Sequence, residues 1–343
     1  MRILLGMSGG LDSTYAAMKL IEEGHSVEGA VILMHEHTEI DAAKETADDL
    51  GIPIHVIDAR QKFEERVVKN FISEYLCART PNPCTVCNSE VKFRELFDYA
   101  MANSFDAIAT GHYAKIVKRD TPCGVKYAVA NAKDLKKDQT YMLWRLPQDI
   151  LSRLVFPLSE CEKSTIKKIA KEKNISAVNR DESQEICFIP SGDYASFIEE
   201  RTYPSPHGDF IDEEGRVLGE HRGIIRYTVG QRKGLGIAMG ERVFVTKIDP
   251  ISNTVTISPN DSFASEVSIS NMVFSGICEP RVGEELSFSV KLRYLAPKIP
   301  VRLSYLGGGK ARLFLATPIR ALTPGQSAVL YDGDVLVAGG FID

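Results

Sequence analysis

Short apolar runs alternate with helical patterns over the first 110 residues. Ile3-Leu4-Leu5 reads as a buried strand, followed by a helix from about Ser13 to Glu23, with Ala16, Ala17, Leu20 and Ile21 at helical spacing and Gly24 as its stop. Val27–Met34 is a near-continuous apolar run, and a helix follows around Asp41–Leu50. Ile54–Ile57 reads as a strand and Phe63–Tyr75 as a helix. After a proline-rich loop, Val91, Phe93, Leu96, Phe97 and Ala100 mark one more helix, and Asp106–Thr110 closes the series as a strand. Strand and helix in alternation predict an α/β fold, a parallel doubly wound sheet covered on both faces. From about Leu143 to Arg201 the pattern is mainly helical, with a lysine-rich helix at Lys163–Lys173. After Pro204-Ser205-Pro206 short alternating runs take over: Val243–Ile248, Thr254–Ile257, Leu286–Tyr294, Val301–Leu306, Ala311–Leu315, Ala328–Tyr331 and Val335–Ala338. Such spacing predicts small sandwiches or barrels. Boundaries near 204–208 and 262–270 divide the chain into 1–205, 206–266 and 267–343.

The chain has 343 residues, 44% hydrophobic and 25% charged, and a net charge of −5. That balance excludes long disordered stretches and a wholly basic nucleic-acid binder, but not a local basic surface. No apolar run reaches the length of about 18 residues that a membrane span requires. The apolar N-terminus is broken at once by Ser8-Gly9-Gly10, which favours a first strand in a cytoplasmic protein over a signal peptide. Seven cysteines without a secretion signal are not expected to form a disulfide framework. Cys77, Cys123, Cys161 and Cys278 read as structural.

Candidate chemistry begins with Gly6-Met7-Ser8-Gly9-Gly10-Leu11-Asp12-Ser13, between the first strand and the first helix. Glycines let the backbone turn tightly beside a ligand, and the helix start offers unpaired N–H groups and a partial positive charge. Ser8 and Ser13 can donate to phosphate oxygens, and Asp12 can hold Mg²⁺ against them. The lysine of the G-x-x-x-x-G-K-[ST] loop is missing. A second signal is Thr80-Pro81-Asn82-Pro83-Cys84-Thr85-Val86-Cys87-Asn88, placed in a loop just before a helix, where a thiol is stabilised as thiolate. No second Cys/His pair with usual spacing completes a zinc site. Cys187 lies in Glu185-Ile186-Cys187-Phe188-Ile189-Pro190, read as a strand. Between Lys291 and Arg320 stand seven Lys/Arg and no Asp or Glu, interleaved with Tyr294, Tyr305 and Phe314, a pattern suited to RNA phosphates with some stacking. The helix with Lys163, Lys167, Lys168, Lys171 and Lys173 is ambiguous, because Glu162 and Glu172 interrupt its charge.

The first loop resembles the SGGxDS pyrophosphate loop of the N-type ATP pyrophosphatases. Taken with TPNPCTVCN at 80–88, ATGHY at 109–113, KKDQTYML at 136–143, ICFIP at 186–190, HGDF…GEHRGIIRYTVGQRKGLGIA at 207–238 and TPGQSAVLYDGD at 323–334, it resembles the tRNA-specific 2-thiouridylases from end to end. The resemblance implies three domains: an adenylating domain with a helical extension, a central β domain and a C-terminal tRNA-binding β-barrel. It implies ATP-dependent 2-thiolation of the wobble uridine, with ATP contacts at Gly6, Met7, Ser8, Gly9, Gly10, Leu11, Asp12, Ser13, Met34 and Gly111. Asn82, Pro83 and Cys84 would border the target uracil. His112, Lys137, Asp138 and Gln139, with Arg293, Tyr294 and Gln326 in the barrel, would face the tRNA. The loop cysteine of the family is Cys87 here, and its persulfide-carrying partner is Cys187. The sulfur donor would be a cysteine desulfurase or a sulfur relay protein.

Two departures stand out. Cys84 replaces the usual aspartate, so Cys84, Cys87 and Cys187 offer three thiolates, which resembles the cluster-dependent tRNA thiolases and favours a [4Fe–4S] cluster over a spare thiol beside a persulfide pair. Ala78 stands where the family usually has glycine. The rival readings are a small-molecule ligase of the argininosuccinate or NAD synthetase kind, which would not need the β-rich third, and a non-catalytic RNA-binding sulfur carrier, which would not need an intact phosphate loop.

Overall fold

The computed structural model describes residues 1–343 except 174, 176–185, 238, 239, 241, 261 and 262. The first strands are β1 (Arg2–Gly6), β2 (Ser26–Leu33), β3 (Ile54–Asp58) and β4 (Ala107–Thr110). A hairpin, β5 (Lys115–Thr121) and β6 (Gly124–Ala130), separates them from β7 (Leu154–Val155). The parallel sheet runs in the order β3-β2-β1-β4-β7. β1 is central because Leu4 packs into one apolar cluster while Ile3 and Leu5 pack into another, on the opposite face. Strand order reverses at β1. The loops leaving β1 and β4 therefore open a crevice at the carboxyl ends of the strands, where doubly wound sheets take their ligands.

In the second part, β8 (Gly208–Ile211), β9 (Val217–His221), β10 (Phe244–Asp249) and β11 (Thr254–Ser258) form a sheet in the order β10-β11-β8-β9. The HGDF…GEH motif is structural here. His221 is fully buried and takes part in a 3.0 Å hydrogen bond with the Asn253 carbonyl, and any side chain at Gly208 would strike both residues.

The last part comprises β12 (Phe263–Val273), β13 (Glu285–Lys291), β14 (Ile299–Gly307), β15 (Lys310–Arg320), β16 (Ser327–Asp332) and β17 (Val335–Ile342). They run β12-β15-β14-β13-β16-β17, and β12 pairs with β17 to close a six-stranded barrel. Pattern reading misses four pieces: the β5–β6 hairpin, β7, β12, and the β8–β9 pair. The hairpin joins the barrel through Ala130 against Val335 on β17, so a pair of strands from the nucleotide-binding part extends the sheet of the last part. That docking gives two of the cysteines read as structural a role the sequence did not suggest. Cys123, in the β5–β6 turn, is bonded to Cys278, 155 residues away, with Cα atoms 5.9 Å apart. Sequence spacing gives no sign of a pair made by docking.

The KKDQTYML segment forms the buried joint between the two parts. The Trp144 indole donates to the Ser327 hydroxyl at 3.0 Å, Tyr141 donates to the Ser327 carbonyl at 2.8 Å, and Thr140 bonds Tyr331 at 2.9 Å. The Trp144 ring lies where a Cβ on Gly339 would be, 2.6 Å away. Burying this aromatic set against the barrel fixes the two parts together; Trp→Ala in such a core costs about 3–5 kcal/mol.

Candidate active site

The phosphate loop follows directly from β1. Gly9 adopts φ +73°, and a Cβ there would stand 2.6 Å from the Ala42 backbone, so the turn needs glycine. Gly10 is the N-cap of the helix Leu11–Glu22 and makes no side-chain cap bond. The Ser13 hydroxyl donates to the Gly10 carbonyl at 2.9 Å and accepts from the Ser8 amide at 3.3 Å. These bonds hold the turn open around a helix start that no side chain caps, which is an anion-binding geometry. Gly111, just past β4, packs on the same turn; a Cβ there would lie 2.9 Å from the Asp12 and Ser13 backbone. Met34 follows β2 at the same edge of the sheet.

Asp12 is engaged. Its two oxygens each accept from the Lys163 ammonium at 2.7 Å, and Oδ1 also accepts from the Tyr113 hydroxyl at 2.8 Å. The Lys163 side chain is 6% exposed. As placed, Asp12 does not present the open carboxylate that the Mg²⁺ expectation requires. Sequence reading placed Lys163 in the lysine-rich helix but not beside Asp12, because 151 residues separate the two.

The cysteine segment is helical. Pro83–Cys87, the π turn Asn88–Lys92 and Phe93–Ala102 follow one another without a break, so Cys84 and Cys87 sit in the first turns of a helix and not in a loop before it. Pro83 at the start explains this, since its fixed φ suits the first helical position. The Cys87 thiol is buried and lies 3.5 Å from the Met34 sulfur. Cys84 and Cys187 are exposed. Cys187 lies in a turn, not the expected strand; Glu185 of that motif is outside the described residues. Negative charge on Cys187 or Cys84 would hold the Cys87 thiol protonated. Loss of solvation pushes the buried Cys87 thiol up to about 12; the protein packed around Cys84 and Cys187 raises theirs too, though their own surfaces stay exposed. Lys92, at the end of the π turn, is the cation that opposes the rise at each of them. Among the described residues no group of three His, Cys, Asp or Glu side chains is placed to hold a metal ion. As placed, therefore, the trio does not form the cluster site that its composition favours.

Residues expected at the tRNA fall into two sets. His112 lies between the rings of Phe93 and Phe156, bonded to Thr110 at 2.9 Å, and burial pulls its pKa down to about 3. Asn82 donates to the Met142 sulfur at 3.2 Å, and the Gln139 side chain accepts from the Tyr113 amide at 2.9 Å. Asp138 is buried, accepts from Thr140 and pairs with Lys291 at 3.8 Å. Gln326 and Arg293 bond within the protein. Gln326 donates to the Thr80 carbonyl at 2.8 Å, Thr80 donates its amide to Pro324, and its hydroxyl meets Thr228 at 3.3 Å. Arg293 donates to the Ala321 carbonyl and to the Thr323 hydroxyl. Three motifs far apart in sequence thus meet at the entry to the cysteine helix. Ala78, four residues upstream of Asn82, has φ +57°, the left-handed region that glycine favours.

The basic stretch is less open than its composition suggests. Lys298 pairs with Asp334 in the β16–β17 turn, Arg302 with Glu285 on β13 and Arg312 with Glu266 on β12. Tyr305 is buried inside the barrel and bonds Glu279, so it is not a stacking surface.

A glycine loop opening an uncapped helix at the reversal point of a parallel sheet defines a nucleotide-using α/β enzyme, here with the buried Cys87 at the same sheet edge. Family models agree with the parts: a tRNA methyl transferase HUP domain matches residues 1–191, a tRNA methyl transferase PRC-barrel domain 195–259, and an aminomethyltransferase β-barrel domain 265–342. The tRNA-specific 2-thiouridylase MnmA of Acetivibrio thermocellus is 39% identical over 99% of both chains. A second relative of that name, from Clostridium botulinum strain Loch Maree, is 40% identical over 99% of this chain and 98% of its own. The chain belongs to the tRNA-specific 2-thiouridylase family. Among solved structures, a 4-thiouridine synthetase–RNA complex with bound ATP matches 58% of this chain and 50% of that chain at 17% identity and a TM-score of 0.35, too loose a match for inference.

Proposed function

We propose that this protein catalyses ATP-dependent 2-thiolation of the wobble uridine of tRNA. The C2 oxygen of uracil is a poor leaving group. Adenylation by ATP activates it and releases pyrophosphate into the Gly6–Ser13 loop. In the sulfur step, Cys187 carries a persulfide. The Cys87 thiolate attacks the Cys187 sulfur, a Cys87–Cys187 disulfide forms and hydrosulfide leaves. Hydrosulfide then adds at C2, AMP departs, and a cellular thiol reduces the disulfide. Asn82, Pro83 and Cys84 border the uracil in this reading, and His112, Lys137, Asp138, Gln139, Arg293, Tyr294 and Gln326 serve the tRNA. The parts are 1–205 for adenylation, 206–266 as the central β domain and 267–343 for tRNA. A cytoplasmic cysteine desulfurase or relay protein supplies the sulfur. No helix among the described residues is long and apolar enough to cross a membrane.

The observation that carries the proposal is the 3.5 Å contact between Cys87 and Met34. It seats the thiol at the carboxyl edge of β2, next to the strand that carries the phosphate loop, in a chain that matches thiouridylases over its whole length. The test supplies unmodified tRNA, ATP and a persulfide donor, and analyses the nucleosides formed. Cys187→Ala and Cys87→Ala should each abolish 2-thiouridine while tRNA binding stays near normal. Thiolation at near-normal yield from either variant would overturn the sulfur-transfer scheme.

A further inference from the structure

The segment from Thr228 to Lys233 is pinned where the three parts of the chain meet. Its Gly230 amide donates to the Val245 carbonyl at 2.7 Å, and the Val245 amide donates to the Gln231 carbonyl at 3.0 Å, which ties the segment to β10. The Thr228 hydroxyl meets Thr80 at the entry to the cysteine helix, and a Cβ on Gly230 would stand 2.5 Å from Ala321, just past β15. The residues that follow open a cavity of about 540 Å³, lined by Arg232 and Arg242, by the buried Leu235 and Val243, and by Gly234 and Gly236. Both glycines stand at positive φ, +74° and +73°, a conformation that a side chain disfavours. No carboxylate among the described residues lines the cavity. From the barrel, the Arg320 guanidinium lies 4.2 Å over the ring of Phe244, the residue after Val243.

Charge is available here in a way that it is not on the barrel strands. Arg302 and Arg312 are each held by a glutamate. Arg232, Lys233 and Arg242 are exposed, and among the described residues their side chains make no ion pair or hydrogen bond. An arginine already paired must give up its carboxylate to take a phosphate, whereas a free guanidinium offers its whole fork of donors. We propose that the Arg232–Arg242 cavity of the central β domain is a binding surface for the phosphate backbone of the tRNA, beside the nucleotides that enter the cysteine site. The proposal rests on the tRNA reading above and adds to it a surface outside the barrel.

The test is the salt dependence of tRNA binding to the full chain. It compares two pairs of exposed arginines whose removal changes the net charge equally. Arg232→Gln/Arg242→Gln should weaken binding and flatten the plot of log affinity against log salt by about 1.5, the share of two phosphates. Arg302→Gln/Arg312→Gln should leave the slope nearly as in wild type. Unchanged thermal unfolding of both variants checks the fold. Equal flattening by the two variants would overturn the proposal, because net charge alone would then account for the effect. An unmoved slope in Arg232→Gln/Arg242→Gln would overturn it too. If that variant also thiolated normally with a small-molecule persulfide but not with a persulfide-loaded donor protein, the surface would belong to an acidic protein partner. Failure of wild type to bind tRNA at any salt concentration would instead remove the tRNA reading itself, and this surface with it.

Discussion

The phosphate loop and the cysteine helix lie at the same edge of one sheet but are prepared in opposite ways. The loop is complete within eight consecutive residues, held by its own hydroxyl and backbone bonds, with a helix start left uncapped. The cysteine helix is held by residues from all three parts of the chain, through Thr80, Thr228 and Gln326, and its thiols are shifted toward the unreactive protonated form. A nucleotide can be received by backbone geometry that a short segment fixes. A thiolate in a dry site requires a counter-charge and a framework that only the assembled molecule provides.

Substitution of the loop's Gly9 would break the comparison most sharply. Gly9→Val forces a β-branched residue to φ +73° and drives its Cβ into the Ala42 backbone; positive-φ strain alone costs about 1–3 kcal/mol. ATP cleavage should fall below detection while tRNA binding persists, as measured by AMP release and filter binding. The disulfide comes next. Under oxidising conditions Cys123→Ser should lower unfolding stability by about 2–4 kcal/mol, read by denaturant titration, whereas a reducing buffer should erase the difference from wild type. ATP binding should not change, because the bond ties the hairpin to the segment before β13 and not to the loop. Gly325→Ala is smaller. With φ +88° and a Cβ 3.0 Å from the Thr80 backbone, it should cost about 1–3 kcal/mol and lower thiolation more than ATP cleavage. If both activities fell equally, the joint would not belong to the cysteine side at all.

The smallest effect sharpens the electrostatic half of the contrast. Burial raises the Cys87 pKa to about 12 and Lys92 opposes the rise. Removing that positive charge favours the neutral thiol further, so the alkylation profile of Cys87 in Lys92→Met should move to higher pH. At any pH below the midpoint the variant should alkylate more slowly. An unmoved profile would mean that Lys92 does not govern the thiols.

The first sheet was legible because its signal is local: apolar runs of strand length, helical spacing and a glycine stop each report on neighbours in the chain. The β5–β6 hairpin was missed because Lys115–Thr121 is half-exposed and polar, and because β6 finds its second partner on the barrel. Cys187 was read as a strand because Ile186, Phe188 and Ile189 are apolar. Phe188 and Ile189 are buried in a turn, where aromatic packing on Phe63 and Phe71 replaces strand pairing. The basic stretch misled for a related reason. Its own residues contain no acid, and the acids that neutralise it lie on other strands and in the β16–β17 turn.

By itself the sequence determined the doubly wound sheet, the glycine loop after its first strand and the family, because each is written in adjacent residues or in motif order. Only the tertiary structure decided that Asp12 belongs to Lys163, that Gln326 and Thr228 support the entry to the cysteine helix, that Cys123 meets Cys278, and that the barrel carries a hairpin from the first part. Those pairings are set by how separate layers pack, and packing joins residues by shape and charge, whatever their distance along the chain.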